Sequence, residues 1–415
     1  MSSKDSDSDL SSSSDENPDQ SENLRLEGEV LKNYNIISEL GSGSYSIVWL
    51  AYDINNKKFC AIKVQNPDDY DDGKSELKIL KSLPEHENIL KVYDSFIKET
   101  DSKKFLCFVF DLYCGNIDSF VRKGKYNDGL DIDIVKSIFK QIITALDLIH
   151  NKCKLIHCDV KTDNILLRGL NEKSKTIIDL YLKENFEEQF LEAKKQHWLS
   201  QGKDINNIKK MKQEVKNKIK KIVHENICKK IMIELDSLEI SSNVVDESYI
   251  RAPKITIADF GATCEEDEFY KGDFGTRYYR APEIILKGEF SEKVDIWSAG
   301  CILYELIVGD FLFDPDKDKN KSRDYYHLLE ISKVSGKFPK NFLKSTRYWK
   351  SFFDKDYDLK DTEYRSYYDW DELLENIKDD NIRNQVKDLL VGMLSIDPKL
   401  RPSSQSILKH DWLSN

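Results

Sequence analysis

The chain has 415 residues, of which 40% are hydrophobic and 33% are charged, and its formal net charge is -11 at pH 7. A chain of this length can bury the cores of about two or three folded units, at roughly 100 to 200 residues per domain. The excess of acidic residues excludes a protein whose whole surface binds nucleic acid, but it leaves room for local basic patches.

Residues 1–23 are mostly Ser, Asp, Glu and Asn, and seven acids against one lysine give this segment a charge of -6. Such a segment buries too little apolar surface to offset its ordering entropy, so we predict a disordered acidic tail. Its serines beside acids could be phosphorylation sites, or the tail could simply keep the chain soluble.

The eight cysteines do not follow the paired spacing of a zinc site. We therefore expect reduced thiols in a soluble intracellular protein, cytoplasmic or nuclear, and no association with a membrane. The N-terminus lacks the apolar core of a signal peptide. The most apolar run, Val294 to Phe313, contains two carboxylates and predicts a buried helix instead of a membrane span.

Two regions with different predicted secondary structure follow the tail. Residues 34–110 contain strand-like runs and one short amphipathic helix, which predicts a small β-rich lobe. Residues 116–415 are mainly helical, and the break between the lobes falls near residues 111–115. The resulting fold class is α+β. The core face of the first long helix is predicted to be Val135, Ile138, Phe139, Ile142, Ile143, Leu146 and Ile149.

A lysine-rich insert, residues 168–253, interrupts the larger lobe. Between Lys194 and Lys230 it has twelve lysines against three acids, a charge of +9. This insert could bind an acidic partner or nucleic acid, or it could be a solvated helix packed on the larger lobe. Helical spacing of apolar residues predicts one amphipathic helix with the face Ile208, Met211, Val215, Ile219 and Ile222.

Two features of the small lobe suit a nucleotide. Glycines in LGSGSYSIV, residues 40–48, would let the backbone approach phosphates, although such hairpins are also common without a ligand. In CAIKV, Ala61 leaves room for a planar ring, and Lys63 can pair with phosphates. Glu76, on the following helix, could fix the direction of this lysine.

The order of the motifs decides between a nucleotide-binding site and a glycine-rich hairpin without a ligand. The glycine-rich loop, Lys63 and Glu76 are followed by HCDVKTDN (157–164), ADFG (258–261), TRYYRAPE (276–283) and DIWSAG (295–300), each once and in the order that an ATP phosphotransferase needs. From about Tyr34 to the C-terminus, without the insert, this set resembles the eukaryotic protein kinases. The implied fold is the bilobal kinase fold.

Within the kinases, Arg280 points to the CMGC group, and further features resemble its serine/arginine-protein kinase branch. These are Ser46 in place of the third glycine, the long insert before DFG, GDFLFDP followed by SRD, and the later KSFFDKDYDLKD. The resemblance implies transfer of the γ-phosphoryl group of ATP to Ser or Thr of protein substrates by a monomer. The alternative is a kinase-fold scaffold that acts through its basic insert.

The resemblance also assigns roles to residues. Asp159 would accept or orient the proton of the substrate hydroxyl, Lys161 would neutralise the transferred phosphoryl group, and Asn164 and Asp259 would hold Mg²⁺. The residues implied to bind ATP are Leu40, Gly41, Ser42, Gly43, Ser44, Tyr45, Ser46, Ile47, Val48, Ala61, Lys63, Glu76, Phe110, Asp111 and Tyr113. Glu283 would pair with Arg401, and Asp295 would brace the catalytic loop.

Cys158 stands where many kinases have an arginine that binds a phosphate on the activation segment. Lys271 and Asp273 stand where relatives carry a phosphorylated threonine and tyrosine. We therefore predict an activation segment that orders without phosphorylation.

The insert separates Asn164 from Asp259 by 95 residues. The strands that flank it, around 165–167 and 254–258, form a hairpin in kinases. We expect the insert to project outward from the loop of this hairpin, where insertions cost little entropy.

The substrate class is less clear from the sequence. Tyr326 and Lys333 replace residues that are acidic in the serine/arginine branch, although Asp310 is retained. The loss of these carboxylates predicts a weaker attraction for arginine-rich peptides.

Overall fold

The computed structural model of the chain describes residues 25–43, 45–100, 103–122, 125–238, 240, 245, 247–265, 274–316, 321–361 and 367–414. The predicted disordered tail, residues 1–23, lies outside this described part, as do Ser44, Lys271 and Asp273.

The small lobe is an antiparallel sheet of six strands in the order β1-β2-β3-β4-β6-β5. Its strands are Val30–Leu31 (β1), Tyr34–Ser42 (β2), Ser46–Asp53 (β3), Lys58–Gln65 (β4), Asp94–Glu99 (β5) and Lys104–Phe110 (β6). Helix α1 (Tyr70–Ser82) follows β4 and packs on β6 through the buried Leu80. The lobe starts before the predicted residue 34, because β1 pairs with the beginning of β2.

Short strands carry the loops at the junction of the lobes. Strands β7 (Tyr113–Asn116), β9 (Ile165–Arg168) and β10 (Ile255–Ile257) form one sheet, and β8 (Leu155–Ile156) pairs with β11 (Cys264–Glu265). The pairing of β9 with β10, with Ile165 opposite Ile257, confirms the predicted hairpin. Residues 157–164 therefore run from β8 to β9, and residues 258–263 run from β10 to β11.

Two buried helices organise the large lobe. Helix α3 (Ile132–Asp147) buries Val135, Phe139 and Leu146 as predicted, and it packs on the predicted apolar helix, which spans Lys293–Val308. Among the described residues, no helix is both long and apolar enough to cross a bilayer.

The remaining helices of the two lobes are short or peripheral. Helices are numbered in chain order, so the apolar helix Lys293–Val308 is α9, and the numbers α4 to α7 belong to the insert described next. The remaining helices are α2 (Ile117–Phe120), α8 (Pro282–Ile285), α10 (Arg323–Ser335), α11 (Lys340–Ser345), α12 (Trp349–Phe352), α13 (Trp370–Leu373), α14 (Asp380–Met393), α15 (Ser404–Leu408) and α16 (Asp411–Ser414).

The insert folds into helices instead of projecting outward. They are α4 (Glu172–Lys183), α5 (Phe186–Ser200), α6 (Gln213–Asp236) and α7 (Glu247–Arg251). Helices α4 to α6 form one apolar cluster with Ile37 and Leu50 of the small lobe. Leu50 lies two residues after Val48 along β3, so both side chains are on the same face of the sheet. The insert therefore covers the far end of the face that carries Val48. The expected outward projection was therefore wrong. The alternative, that the lysine-rich helix packs on the large lobe, was wrong for α6, whereas Ile250 of α7 is buried in the main core cluster.

Polar contacts fix the insert on the small lobe. The Nδ2 of buried Asn35 donates a hydrogen bond to the hydroxyl of Tyr181 at 2.7 Å. The ring of His224 donates from Nε2 to the carbonyl of Ile36, also at 2.7 Å. Burial lowers the pKa of His224 to about 4, so this ring is neutral at physiological pH and suits a packed interface.

The predicted apolar face of the insert helix was partly wrong. Met211 and Ile219 are buried, but Ile222 is 57% exposed. A 3₁₀ turn, Ile205–Lys210, precedes α6, so the α-helical phase starts only at Gln213 and does not include Ile208. The buried residues of α6 are Ile219, Val223, His224, Ile227, Cys228 and Ile231.

Candidate active site

Lys63 and Glu76 form a close pair in the small lobe. The two Nζ–Oε distances are both 2.9 Å, and the Glu76 side chain is almost completely buried. Burial raises the pKa of Glu76, while the charge of Lys63 opposes that shift. Glu76 is thus placed to orient the lysine and not to touch a nucleotide itself.

The sheet brings the predicted ring-binding residues together. Val48 pairs with Lys63 across β3 and β4, and Ala61 pairs with Phe110 across β4 and β6. Leu40 and Val48 are partly buried against the cluster that contains Ala61 and Phe110. These side chains line one face of the sheet next to the hinge, which is where a flat apolar ring fits.

The glycine-rich hairpin closes this face. Gly41 and Ser42 pair with Val48 and Ile47, and the amide of Gly43 donates to the carbonyl of Ser46 at 2.9 Å. At the tip, the Tyr45 side chain is 60% exposed and encloses nothing. The hairpin therefore presents its backbone and not its side chains.

The hinge residues differ in their roles. The carboxylate of Asp111 accepts a hydrogen bond from the Tyr93 hydroxyl and lies 3.9 Å from Lys58 Nζ. This carboxylate is therefore engaged at the surface, and only the backbone of Asp111 remains to meet a ligand. Tyr113 starts β7 and is partly buried against the main core, which suits a wall of the cleft.

The side chains of Lys161 and Thr276 contact the carboxylate of Asp159 in the catalytic loop. Asp159 Oδ1 accepts from the amide and from the hydroxyl of Thr276, both at 2.9 Å, and Asp159 Oδ2 lies 2.9 Å from Lys161 Nζ. Lys161 also donates to the Thr276 hydroxyl at 2.9 Å. Thr276 belongs to TRYYRAPE, so the segment after DFG is joined directly to the catalytic loop.

These contacts set the charge of the two loop residues. Burial alone would raise the pKa of Asp159, but the charge of Lys161 and the hydrogen bonds from Lys161 and Thr276 lower it below its usual value. Burial likewise opposes the charge on Lys161, and Asp159 outweighs it and raises the lysine pKa. Both groups are therefore ionised at neutral pH.

Asn164 and Asp259 fit a divalent cation. Asn164 Nδ2 donates to the Asp159 carbonyl at 2.9 Å, which leaves the amide oxygen available as a ligand. The amide of Ala258 donates to the Asn164 carbonyl at 2.8 Å, so Asp259 follows directly beside this residue. Carboxylate and amide oxygens are the ligands that Mg²⁺ prefers, and one or two carboxylates are enough when phosphates supply the rest.

Asp295 fixes the start of the catalytic loop by accepting hydrogen bonds from its backbone. This fully buried carboxylate accepts from the amides of His157 and Cys158 at 2.8 and 2.9 Å, and it contacts His150 Nε2 at 2.9 Å. The predicted bracing role of Asp295 is confirmed by these contacts. His157 in turn contacts the Ala258 carbonyl at 3.1 Å and packs edge-on against Phe260 of DFG.

Cys158 packs against the segment after DFG. Its Sγ lies 3.4 Å from the Sγ of Cys264, and both thiols are buried. The hydrogen bond with Cys264 and burial raise the pKa of the Cys158 thiol. Where other kinases use an arginine and a phosphate, this chain has a neutral buried contact between β8 and β11.

A second buried carboxylate supports the loop. Glu305 accepts hydrogen bonds from the hydroxyls of Tyr279 at 2.6 Å and Thr162 at 3.1 Å. Burial raises the pKa of Glu305 to about 7, although these hydrogen bonds oppose the shift. The predicted ion pair of Glu283 with Arg401 is also confirmed, with bidentate N–O distances of 2.6 and 2.8 Å between buried side chains.

Sequence reasoning did not find the contacts of Thr276, Cys264 or Glu305. Thr276 could have been found from the GT pair at 275–276, because a hydroxyl after glycine can approach a backbone closely. Nothing in the local sequence marks Cys264 or Glu305, since their partners lie 106 and 143 residues away along the chain.

Several known proteins are similar to this chain in sequence. A putative serine/threonine-protein kinase, L205 of Acanthamoeba polyphaga mimivirus, is 27% identical over 94% of this chain and 88% of its own length. The serine/threonine-protein kinase SRPK of Physarum polycephalum is 28% identical over the same shares. SRSF protein kinase 3 of Mus musculus is 25% identical over 92% of this chain and 86% of its own. These similarities confirm the predicted resemblance to the serine/arginine branch.

The family model of the protein kinase domain matches residues 34–197 and 240–413. The residues between the two matched segments, 198–239, lie inside the predicted insert and include the whole of α6. The match covers more than half of the chain, and the α+β bilobal fold agrees with it. The chain therefore belongs to the protein kinase family.

Proposed function

We propose that this kinase transfers the γ-phosphoryl group of ATP to Ser or Thr hydroxyls of protein substrates. The observation that carries the proposal is the convergence of Asp159, Lys161 and Thr276 at 2.9 Å contacts, across a cleft from the Lys63–Glu76 pair. A scaffold function would not need these two ion pairs, Lys63 with Glu76 and Lys161 with Asp159. Mg²⁺, held by Asn164 and Asp259, would supply neutralisation of the phosphate charge.

The residues divide the work of the transfer. Asp159, ionised because of its low pKa, accepts or orients the proton of the acceptor hydroxyl while the new O–P bond forms and the bond from the γ-phosphorus to the bridging oxygen of ADP breaks. Lys161 lies beside Asp159 and stabilises charge on the moving phosphoryl group. Lys63 holds the phosphates that stay behind, with its direction set by Glu76.

We propose that this site is assembled without phosphorylation of the activation segment. The backbone of Cys158 is held by Asp295, and its thiol is held by Cys264, so no phosphate is needed at this position. On the far side of the segment, Arg280 donates to the Gly275 carbonyl at 2.9 Å. Neutral and internal contacts thus replace the phosphate contact. Lys271 and Asp273, on which the sequence argument rests, lie outside the described residues.

The acceptor protein is proposed by its chemical class. Two relatives are named serine/threonine-protein kinase SRPK and SRSF protein kinase 3. Here Lys333 lies over the ring of Tyr368, so the helix α10 presents a positive charge where that branch is acidic. Glu330 compensates only partly, because burial and then Asp314 raise its pKa to about 7. We therefore expect a reduced preference for arginine-rich peptides.

The proposal also includes the oligomeric state, the cellular location and the partners of the enzyme. We infer a monomer. We also infer that it acts inside the cell, in the cytoplasm or the nucleus, because none of the eight cysteines forms a disulfide and seven are buried as thiols. We propose the basic insert as a site for an acidic partner or nucleic acid.

The test is phosphate transfer from labelled ATP and Mg²⁺ to two peptides, one arginine/serine-rich and one acidic and serine-containing, by the wild type and Asp159→Ala. Transfer to either peptide, lowered by about 10²- to 10⁴-fold in the variant, is the expected result. Preference between the peptides decides the substrate class. Equal rates in both proteins would overturn the catalytic assignment, and binding of ATP without any transfer would favour the scaffold.

A further inference from the structure

The exposed side of α6 carries a stripe of lysines and apolar residues. Lys218, Ile222, Glu225, Lys229 and Ile233 follow one another at helical spacing and therefore share one face, which we name the basic face. Ile222 and Ile233 are 57% and 72% exposed. The one carboxylate on this face, Glu225, approaches Lys221, and no carboxylate of the described residues forms an ion pair with Lys218 or Lys229. These two lysines therefore lack counter-charges, and the two isoleucines lack a cover.

One further lysine beside the basic face is partly desolvated. Burial lowers the pKa of Lys98 on β5. The carboxylate of Glu29 opposes this shift and Lys221 of α6 adds to it, so these groups lie close together. Glu29 and Glu225 both approach Lys221 Nζ, at 2.7 and 3.8 Å, and no carboxylate of the described residues forms an ion pair with Lys98. An additional anion would be stabilised here.

The chain emerges from the small lobe at the centre of this face. Leu26 is completely buried in the small lobe. Gly28, with a φ of +81°, lies against Glu225, because a Cβ at this position would be 3.1 Å from Glu225 Cγ and 3.2 Å from its Cα. Residues 1–24, outside the described part, are therefore attached to the chain only a few residues before Gly28, beside the helix that carries Lys218 and Lys229.

We infer that the acidic segment 1–24 of this chain binds the basic face of α6. The segment carries seven acids and one lysine, which complement the unpaired lysines. It also has two leucines, Leu10 and Leu24, that can cover the exposed isoleucines. The acidic partner of the insert is therefore part of the same molecule, and a foreign polyanion must displace it.

The geometry permits this contact at low cost. Lys218 and Ile233 lie about 10 and 12 Å from Glu225 along the helix, at 1.5 Å per residue. A flexible segment of 24 residues has a root-mean-square length of about 27 Å, so it reaches both ends. A short tether gives an effective concentration of about 1 mM, so a segment that binds with a Kd of about 0.1 mM as a free peptide would occupy the face about ten times out of eleven.

The test compares the full chain with a variant whose seven tail acids are replaced by Asn or Gln. A fluorescent peptide of residues 1–24 is titrated into both proteins and followed by anisotropy. The peptide should bind the neutral-tail variant at least about tenfold more tightly than the wild type, because the native tail competes. Added salt of about 0.5 M should abolish the difference, since the contact is between exposed charges.

Matched variants place the contact. In the neutral-tail background, Lys218→Glu with Lys229→Glu should remove peptide binding, whereas Lys340→Glu with Lys344→Glu, two exposed lysines of the large lobe, should keep it. Unchanged kinase activity and thermal midpoint verify folding, because none of these lysines belongs to the active site.

A labelled oligouridylate of about 20 nucleotides tests the competing partner, because single strands bind basic surfaces that carry apolar groups. Binding of this RNA but not of the peptide to the neutral-tail variant would overturn the inference in favour of nucleic acid. Equal peptide affinity for the wild type and the neutral-tail variant would overturn it as well, because a bound tail must compete. Binding that survives the α6 reversals would also overturn it.

Discussion

Replacement of Glu305 by glutamine should change how the stability of this kinase depends on pH. The carboxylate is completely buried under the catalytic loop, and burial raises its pKa from 4.5 to about 7. Tyr279 and Thr162 donate to it, Arg122 lies 4.0 Å away, and Asp118 repels it. Glutamine keeps an oxygen for one hydroxyl and offers an amide to the other, so the packing can be retained.

The sign follows from the raised pKa. The folded protein binds a proton at Glu305 more tightly than the unfolded chain, so this contribution to stability is complete below pH 4.5 and is lost as the pH rises to about 7. At about 1.4 kcal/mol per pKa unit, the loss between about pH 5.5 and about pH 8.5 is about 2 kcal/mol. Glu305→Gln removes this loss.

Urea unfolding of wild type and Glu305→Gln at both pH values measures the difference directly. The free energy of unfolding of the variant minus that of the wild type should rise by about 2 kcal/mol from the lower to the higher pH. Glu375→Gln, on the surface of the same lobe, should show no such trend. Parallel pH profiles of wild type and Glu305→Gln would refute the assignment of a raised pKa to this group.

Three further substitutions test other parts of the account. Lys63→Met should lower kcat/KM by at least about 100-fold with an unchanged circular dichroism spectrum, because phosphate contacts act mainly in the transition state; an unchanged rate would contradict its role. Tyr181→Phe leaves the amide of Asn35 without its buried acceptor and should cost about 1 to 3 kcal/mol in urea unfolding, whereas the exposed Leu182→Ala should cost much less. Asp295→Asn should lower kcat more than it raises KM for ATP in steady-state assays, because it loosens the catalytic loop and not the nucleotide cleft; an effect on KM alone would argue otherwise.

The sequence was most informative about residues that occur at fixed positions in ordered motifs. Lys63, Asp159 and Asn164 were predicted as site residues from the order of their motifs along the chain, and the structure places the lysine beside Glu76 and the asparagine beside Asp159. The hairpin that flanks the insert was also predictable, because two apolar strands interrupted at a turn can pair whatever the length of the loop.

The position of the insert could not be predicted from its sequence. Apolar periodicity says that a helix has a face to bury, but not which surface will bury it. The partners of α6 and α4 are Ile37, Leu50 and the carbonyl of Ile36, on strands that end more than 110 residues before the insert. The predicted face failed at Ile222 for a related reason, since the 3₁₀ turn before α6 resets the helical phase.

The most direct measurement is phosphate transfer by wild-type kinase that mass spectrometry shows to carry no phosphate on residues 259–283. Our account predicts transfer by this unphosphorylated protein at a rate within a few-fold of the phosphorylated form, and a loss of at least about 100-fold in Asp159→Asn. Transfer that appears only after phosphorylation of this segment would contradict a site assembled by Asp295, Cys264 and Thr276.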